Sequence, residues 1–207
     1  EDRILQTSQR RVLGNLKGVF YLDEQNTLNT GIEYIWDQLI SPYRLEGDKA
    51  TAYSVSAYAQ DEWNVTDRFN ITAGIRFGQH REFGQTFTPK VSALYKFHNF
   101  NFRGTYSNGF KAPSIKELYY HYYATIMSKY KAYYGNINLK AQKSDYYALN
   151  IEYHLPRFNA SVTAYHNNIR NMISLQTIET SYEDKLQLVE ETMKYVNLAK
   201  GRYGFHF

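Results

Sequence analysis

The stretch that decides the fold is "AYSVSAYAQDEWNVTDRFNITAGIRFG", Ala52 to Gly78. Its second half puts Phe69, Ile71, Ala73, Ile75 and Phe77 on one face of an extended chain. Asn70, Thr72, Gly74 and Arg76 fall on the other. Its first half does the same, with Tyr53, Val55, Ala57 and Ala59 opposite Ser54, Ser56, Tyr58 and Gln60. Successive strand side chains point to opposite faces, so each half reads as a β-strand with one apolar and one polar surface. Between them "NVTDRF" is a tight turn, built on residues that bond their own backbone.

The same period of two recurs along the chain. In "YALNIEYHL", Leu149, Ile151, Tyr153 and Leu155 stand opposite Asn150, Glu152 and His154. The pattern predicts about ten strands, near 10–22, 27–38, 51–65, 68–80, 86–98, 100–109, 143–155, 157–170, 171–180 and 193–205. The only helical pattern is brief, around Ser114–Tyr122. "KFHNFNF" (Lys96–Phe102) and "HLPRFN" (His154–Asn159) are further tight turns. "ISPYRLEGDKAT", "HREFGQTF" and Lys111 to Gln142 read as long connections. Short turns at one end and long loops at the other suit a membrane barrel.

Several alternating stretches are long enough to cross a bilayer when tilted. Trp36, Trp63, Tyr95, Phe97, Tyr153 and Phe158 mark strand ends, where interfacial aromatic girdles lie. A soluble β-sandwich is the competing reading, with its apolar face buried on a second sheet. Glu33 and Asp61 interrupt the strand faces and are expected to look into a polar lumen, because exposure to lipid is costly.

Composition narrows the function. Aromatics make up 17% of the chain, including 21 Tyr, residues suited to sites that are part apolar and part wet. The net charge of +4 comes from scattered residues, not the basic stripe of a nucleic-acid binder. The absence of Cys removes disulfides, thiolate metal sites and cysteine nucleophiles. A mean hydropathy of -0.59 does not argue against a barrel, whose strands need only alternate residues apolar. Glu117 and Glu152 lack partners at a spacing that suggests acid–base chemistry. "HNNIR" (His166–Arg170) lacks metal-ligand spacing, and no Gly-rich loop joins a strand to a helix. No enzyme activity and no resident cofactor are expected.

At this point the motifs carry a resemblance. "AYAQDEWNVTDRFNITAGIRFGQHREFG" (Ala57–Gly84) resembles the barrel of TonB-dependent outer-membrane receptors, with its "QDEW" strand, short turn and "TAGIR" strand. "TPKVSALYKF" (Thr88–Phe97), "NGFKAPSIKELYY" (Asn108–Tyr120) and "YGNINLKAQKSDYYALNIEY" (Tyr134–Tyr153) continue it in order. "VTAYHNNIRNMISL" (Val162–Leu175) resembles the next hairpin, and "YVNLAKGRYG" (Tyr195–Gly204) the one after. The family's "FRAP" reads "FKAP" at Phe110–Pro113, and its "NPNL" reads "NINL" at Asn136–Leu139. Neither box fixes a ligand.

The resemblance implies an all-β antiparallel transmembrane barrel in a Gram-negative outer membrane. It also implies active import of a scarce nutrient and lipid around the wall. Family barrels have about 22 strands, so residues 1–207 are expected to be one part of a barrel. The plug domain through which the TonB complex acts is expected outside this chain. The final "RYGFHF", with Tyr203, Phe205 and Phe207 alternating, resembles the terminal signal of bacterial barrels; a cut through any strand would look the same.

The resemblance also directs attention to Gly109–Gln142 as an external loop. There Tyr119, Tyr120, Tyr122 and Tyr123 surround His121, followed by Lys129, Tyr133 and Tyr134. These are the expected ligand-binding residues, with haem or a ferric chelate as leading ligand. A histidine between the two boxes resembles the haem-receptor arrangement, in which His121 would be an axial iron ligand. A plain surface histidine in an aromatic loop is the simpler reading. His80 and His98 are weaker candidates. Lys129, Lys131 and Lys111 could meet anionic groups or only solvent, and the Phe110–Pro113 box reads as structural. Cobalamin, an oligosaccharide, and a small closed-barrel adhesin or structural protein are the alternatives.

Overall fold

A computed structural model describes the backbone of residues 7–206 and side chains through residue 198. The terminal aromatic alternation therefore lies outside the described side chains. Among the described residues, one sheet of eleven strands contains every strand. In chain order these are β1 (Ser8–Tyr21), β2 (Asn26–Ile40), β3 (Lys49–Thr66), β4 (Phe69–His80), β5 (Gly84–Phe97) and β6 (Phe100–Lys111). After helix α1 (Ile115–Tyr119) come β7 (His121–Ile126), β8 (Lys129–Tyr134), β9 (Gln142–Leu155) and β10 (Phe158–Ile178). Helix α2 (Tyr182–Leu186) then leads to β11 (Glu191–His206). The spatial order is β1-β2-β3-β4-β5-β6-β9-β10-β11-β8-β7, an open sheet with β1 and β7 at its edges. Every pairing is antiparallel except that of β11 with β8.

The register sorts side chains as the alternation requires. Val12, Trp36, Tyr53, Ile75, Val91, Phe102, Ile151 and Val162 share the apolar face. Exposed examples include Leu149 at 68%, Phe87 at 60% and Ile75 at 52%. A sandwich would bury these groups, so their exposure rules against that reading and favours lipid as their solvent. All six aromatics expected in girdles lie on this face. The opposite face carries ion pairs and amides: Arg11–Asp37, Arg76–Glu33, and Asn150 donating to Thr163.

Tight turns gather at one edge. Asp23 Oδ1 accepts from the backbone N–H of Gln25 and Asn26, both at 2.7 Å, closing β1 onto β2. Thr66 Oγ1 accepts from Arg68 and Phe69 in the β3–β4 turn. At the other edge residues 41–48, 112–141 and 179–190 form larger structures.

Four expectations need correction. "HREFGQTF" is not a long loop, since pairing continues to His80↔Gly84 and leaves only 81–83 between strands. Residues 157–170 and 171–180 do not form a hairpin. They make one strand, β10, bulged between Ile169 and Met172, where Asn171 takes φ 54. A single left-handed residue kinks a strand but does not reverse it. Residues 111–142 are the long connection expected, with α1 inside the helical pattern at Ser114–Tyr122. They also carry the β7–β8 hairpin, which the pattern did not predict and which brings the strand count to eleven. Finally, Asp61 stands on the apolar face between Leu28 and Ala73, opposite in parity to Glu33. Its Oδ1 is sealed without a hydrogen-bond partner.

Candidate functional site

The buried apolar clusters lie around residues 112–141, not within the wall. Leu39, Leu45, Ile115 and Tyr120 form one; Leu118, Leu139 and Ile173 form the other. Pro113 sets the chain's exit from β6, and Ser114 caps α1. Ser114 Oγ accepts from the Glu117 N–H at 3.3 Å, while Glu117 Oε2 accepts from the Ser114 N–H at 2.7 Å. The helix is held by caps and packing, being too short to persist alone.

Gly135 then runs against α1. A Cβ there would stand 2.6 Å from the Leu118 carbonyl carbon and oxygen, so the approach needs glycine. Asn136 and Asn197 complete the docking. Asn136 Nδ2 donates to the Tyr195 carbonyl, and Asn197 Nδ2 to those of Lys140 and Asn171. This is the structural work of the "NINL" box.

The β7–β8 hairpin closes through Met127 and Ser128, with φ of 51 and 62, as a two-residue turn with both centres left-handed. It joins β11 on one side, in the register Glu191↔Lys131 to Lys194↔Tyr134. On the other it reaches the 41–48 loop, where the His121 N–H donates to the Arg44 carbonyl and Tyr120 bridges Leu45. The hairpin is therefore a strap tied at both ends.

The strap separates the expected site residues by face. His121, Tyr123 and Tyr134 share one, and Tyr122, Tyr133 and Lys129 the other, with Tyr130 joining the first and Lys131 the second. On the first, His121 is exposed and stacks on Tyr134 at 4.6 Å between centroids. The Tyr123 and Tyr134 hydroxyls donate to Asp184 Oδ1, at 3.1 and 2.9 Å. Asp184, only 3% exposed, also takes a hydrogen bond from Ser181. On the second, the Tyr122 and Tyr133 rings stack at 4.9 Å and 7°, with the Arg44 guanidinium 5.1 Å over Tyr122. Lys129 and Lys131 both pair with Glu191.

Tyr119, Tyr120, His121 and Tyr134 meet around a cleft of about 430 Å³ that Glu46 and Lys194 also line. Tyr120 contributes from within a buried cluster, whereas Lys129 stands apart at the hairpin tip. A second cavity of about 670 Å³ lies beneath α1 on the polar face, where Arg11, Asp37, Arg76, His80 and Lys116 line it. Arg44, Lys194 and Asp184 are the site residues that sequence reading missed. The one available signal was the basic residue inside "SPYRLEG".

Burial pushes the phenols of Tyr119, Tyr122 and Tyr134 upward in pKa. Hydrogen bonds to Tyr123 and Asp184 add to the rise at Tyr134. Arg44 pulls Tyr122 partly back. Without a metal such phenols stay protonated at neutral pH and present ring surfaces and hydroxyls. Among the described residues, no three His, Asp or Glu side chains converge as a metal site. No described helix is long and apolar enough to cross a membrane, which says nothing of strands that cross one.

Comparison with known proteins gives a consistent result. "Iron-regulated outer membrane virulence protein" of Vibrio cholerae is 28% identical over 121 residues, 58% of this chain and 18% of that protein. "Vitamin B12 transporter BtuB" of the same species is 25% identical over 134 residues, 64% of this chain and 19% of the relative. The chain thus spans under a fifth of these relatives' length. The siderophore receptor PirA of Pseudomonas aeruginosa superposes with a TM-score of 0.83 at 22% identity, covering 96% of this chain and 38% of that one. The ferric enterobactin receptor PfeA of the same organism, solved with enterobactin, gives 0.76 at 20% identity over 96% and 33%. The model for the TonB dependent receptor-like β-barrel matches residues 4–205. With nearly the whole chain inside that match and the sheet superposing on receptor walls, the chain belongs to the TonB-dependent receptor β-barrel family, outer-membrane proteins of Gram-negative bacteria.

Proposed function

We propose that residues 1–207 are one stretch of barrel wall, with its ligand-facing loops, in a receptor that binds and imports an anionic, aryl-bearing ferric chelate. The observation that carries this is the strap's Tyr122–Tyr133 stack beneath the Arg44 guanidinium. Flat rings and a delocalised cation suit a ligand that combines aromatic faces with negative charge. On the strap's other face the Tyr119 phenol, with His121 and Lys194, offers donors from the cleft that Tyr134 also lines. The names of the siderophore-receptor relatives support the same ligand class.

Binding is non-covalent. The TonB complex supplies the work of import through a plug domain contributed by other residues of the receptor, and the site needs no reacting group. Haem is the second reading, favoured by one observation: His121 is exposed and lines the cleft.

The test is a titration of the complete receptor with a ferric tricatechol complex, haemin and cyanocobalamin, read by intrinsic fluorescence and visible absorption. The expected result is saturable binding of the ferric complex, weakened about fivefold by Arg44→Ala through loss of the cation proposed to meet the ligand. Haemin binding with a Soret shift abolished by His121→Ala would replace the chelate with haem. Saturation by cyanocobalamin alone would overturn both.

A further inference from the structure

The apolar face of the wall changes character near the loop edge. Along β9 the outward residues run Ile151, Leu149, Tyr147, Asp145, Lys143; along β10 they run Val162, Ala164, His166, Asn168, Arg170. Tyr106, Tyr147 and His166 form a row of rings across β6, β9 and β10, at centroid spacings of 5.0 and 6.3 Å. One step above that row the chemistry turns ionic. Asp145 accepts from Tyr106 at 3.1 Å, Asn108 at 2.8 Å and Arg170 at 2.7 Å.

These bonds fix Arg170 in place directly across from Lys143. Two like charges facing each other on a sheet repel. Asp145 offsets one of them, and Lys143 makes no ion pair among the described residues. A cleft of about 500 Å³ opens beside it, where Lys143 and Lys140 are joined by Gln85, Asn138 and Asn171. Glu82 also lines this cleft but is paired with Arg81 at 3.3 Å. The cleft is left with a net positive charge at the top of the lipid-facing surface, above rings of the kind that sit at a membrane interface.

We propose that this cleft holds a phosphate-bearing headgroup of a membrane glycolipid, with Lys143 and Lys140 taking the phosphate. Arg170, fixed by Asp145, contributes guanidinium N–H groups from the side, and Asn138 and Asn171 face the sugar hydroxyls. The row of Tyr106, Tyr147 and His166 packs against the glycolipid's junction with its acyl chains. This site is on the outside of the wall and does not depend on which nutrient the receptor imports.

The test uses the complete receptor, delipidated in a nonionic detergent and titrated with lipid A, dephosphorylated lipid A and inorganic phosphate, with bound lipid counted by native mass spectrometry. Lipid A is expected to be retained, and Lys143→Gln and Lys140→Gln each to weaken it about fivefold, the usual effect of one charge at a lipid surface. Lys143→Arg should restore retention, and ferric-chelate binding should be unchanged in all three variants. Equal retention of the dephosphorylated lipid would overturn the proposal. So would indifference to both glutamine variants, or complete displacement of lipid A by inorganic phosphate, which would mark a simple anion site.

Discussion

Removing one buried carboxyl group should loosen the strap without touching the wall. Asp184 is 3% exposed and accepts from three hydroxyls, those of Tyr123, Tyr134 and Ser181. Asp184→Ala deletes all three acceptor contacts. At about 1 kcal/mol net per hydrogen bond the loss is about 3 kcal/mol. The Tyr123 and Tyr134 oxygens already lie 3.4 Å apart, so those hydroxyls can turn to each other and recover part of it. The remaining cost of about 2 kcal/mol corresponds to about thirtyfold more frequent local opening. Hydrogen exchange in the complete receptor reads this directly. Amides of β7 and β8 should exchange about thirtyfold faster in the variant, while those of β3 and β4 stay as they were. Unchanged exchange in the strap would refute the reasoning, because the tie to α2 would then carry no energy. Equal acceleration in β3 and β4 would also refute it, by showing that Asp184 supports the whole sheet.

Two further outcomes follow from the same region. Gly135→Ala places a methyl group 2.6 Å from the Leu118 carbonyl, which is backbone and cannot swing aside. It should destabilise the strap by about 1–3 kcal/mol, seen as faster exchange at Tyr119 and Tyr120; wild-type exchange there would show that the close approach is not needed. Glu191 is held below its usual pKa of 4.5 by hydrogen bonds from Lys131 and then Lys129. A depressed carboxyl stabilises above its unfolded value and loses that contribution as pH falls through the folded one. The β8–β11 joint should therefore loosen on acidification below pH 4.5, as exchange corrected for its intrinsic rate would show. Glu191→Gln should abolish the dependence, and a variant that kept it would shift the titration to another group.

Much of the wall was legible because it depends on a local quantity, the parity of apolar residues. Leu149, Ile151 and Tyr153 share a face on counting alone, and the register confirms it. Counting failed where a break in parity needed tertiary information. The bulge at Asn171 looks in sequence like a turn between two strands, and only continued pairing with β11 shows one strand. Asp61 failed differently: polarity argued for the lumen, but its distance from Ser56 fixes it on the other face. The strap was legible only as composition. Its tyrosines were visible, yet their division into two faces depends on a hairpin turn at Met127–Ser128, which carries no glycine or asparagine signal. Arg44 and Asp184 lie 78 and 50 residues from their ring partners Tyr122 and Tyr134. No local pattern joins residues so far apart.

The central claim is that this chain belongs to an importer of ferric chelate whose strap meets the ligand. Uptake of a radiolabelled ferric tricatechol complex by intact cells, with the complete receptor as the only route, tests it most directly. The account predicts TonB-dependent uptake that Arg44→Ala and Tyr122→Ala reduce together while receptor abundance stays constant. Uptake indifferent to both substitutions, or no uptake of the ferric complex where cyanocobalamin enters, would contradict it.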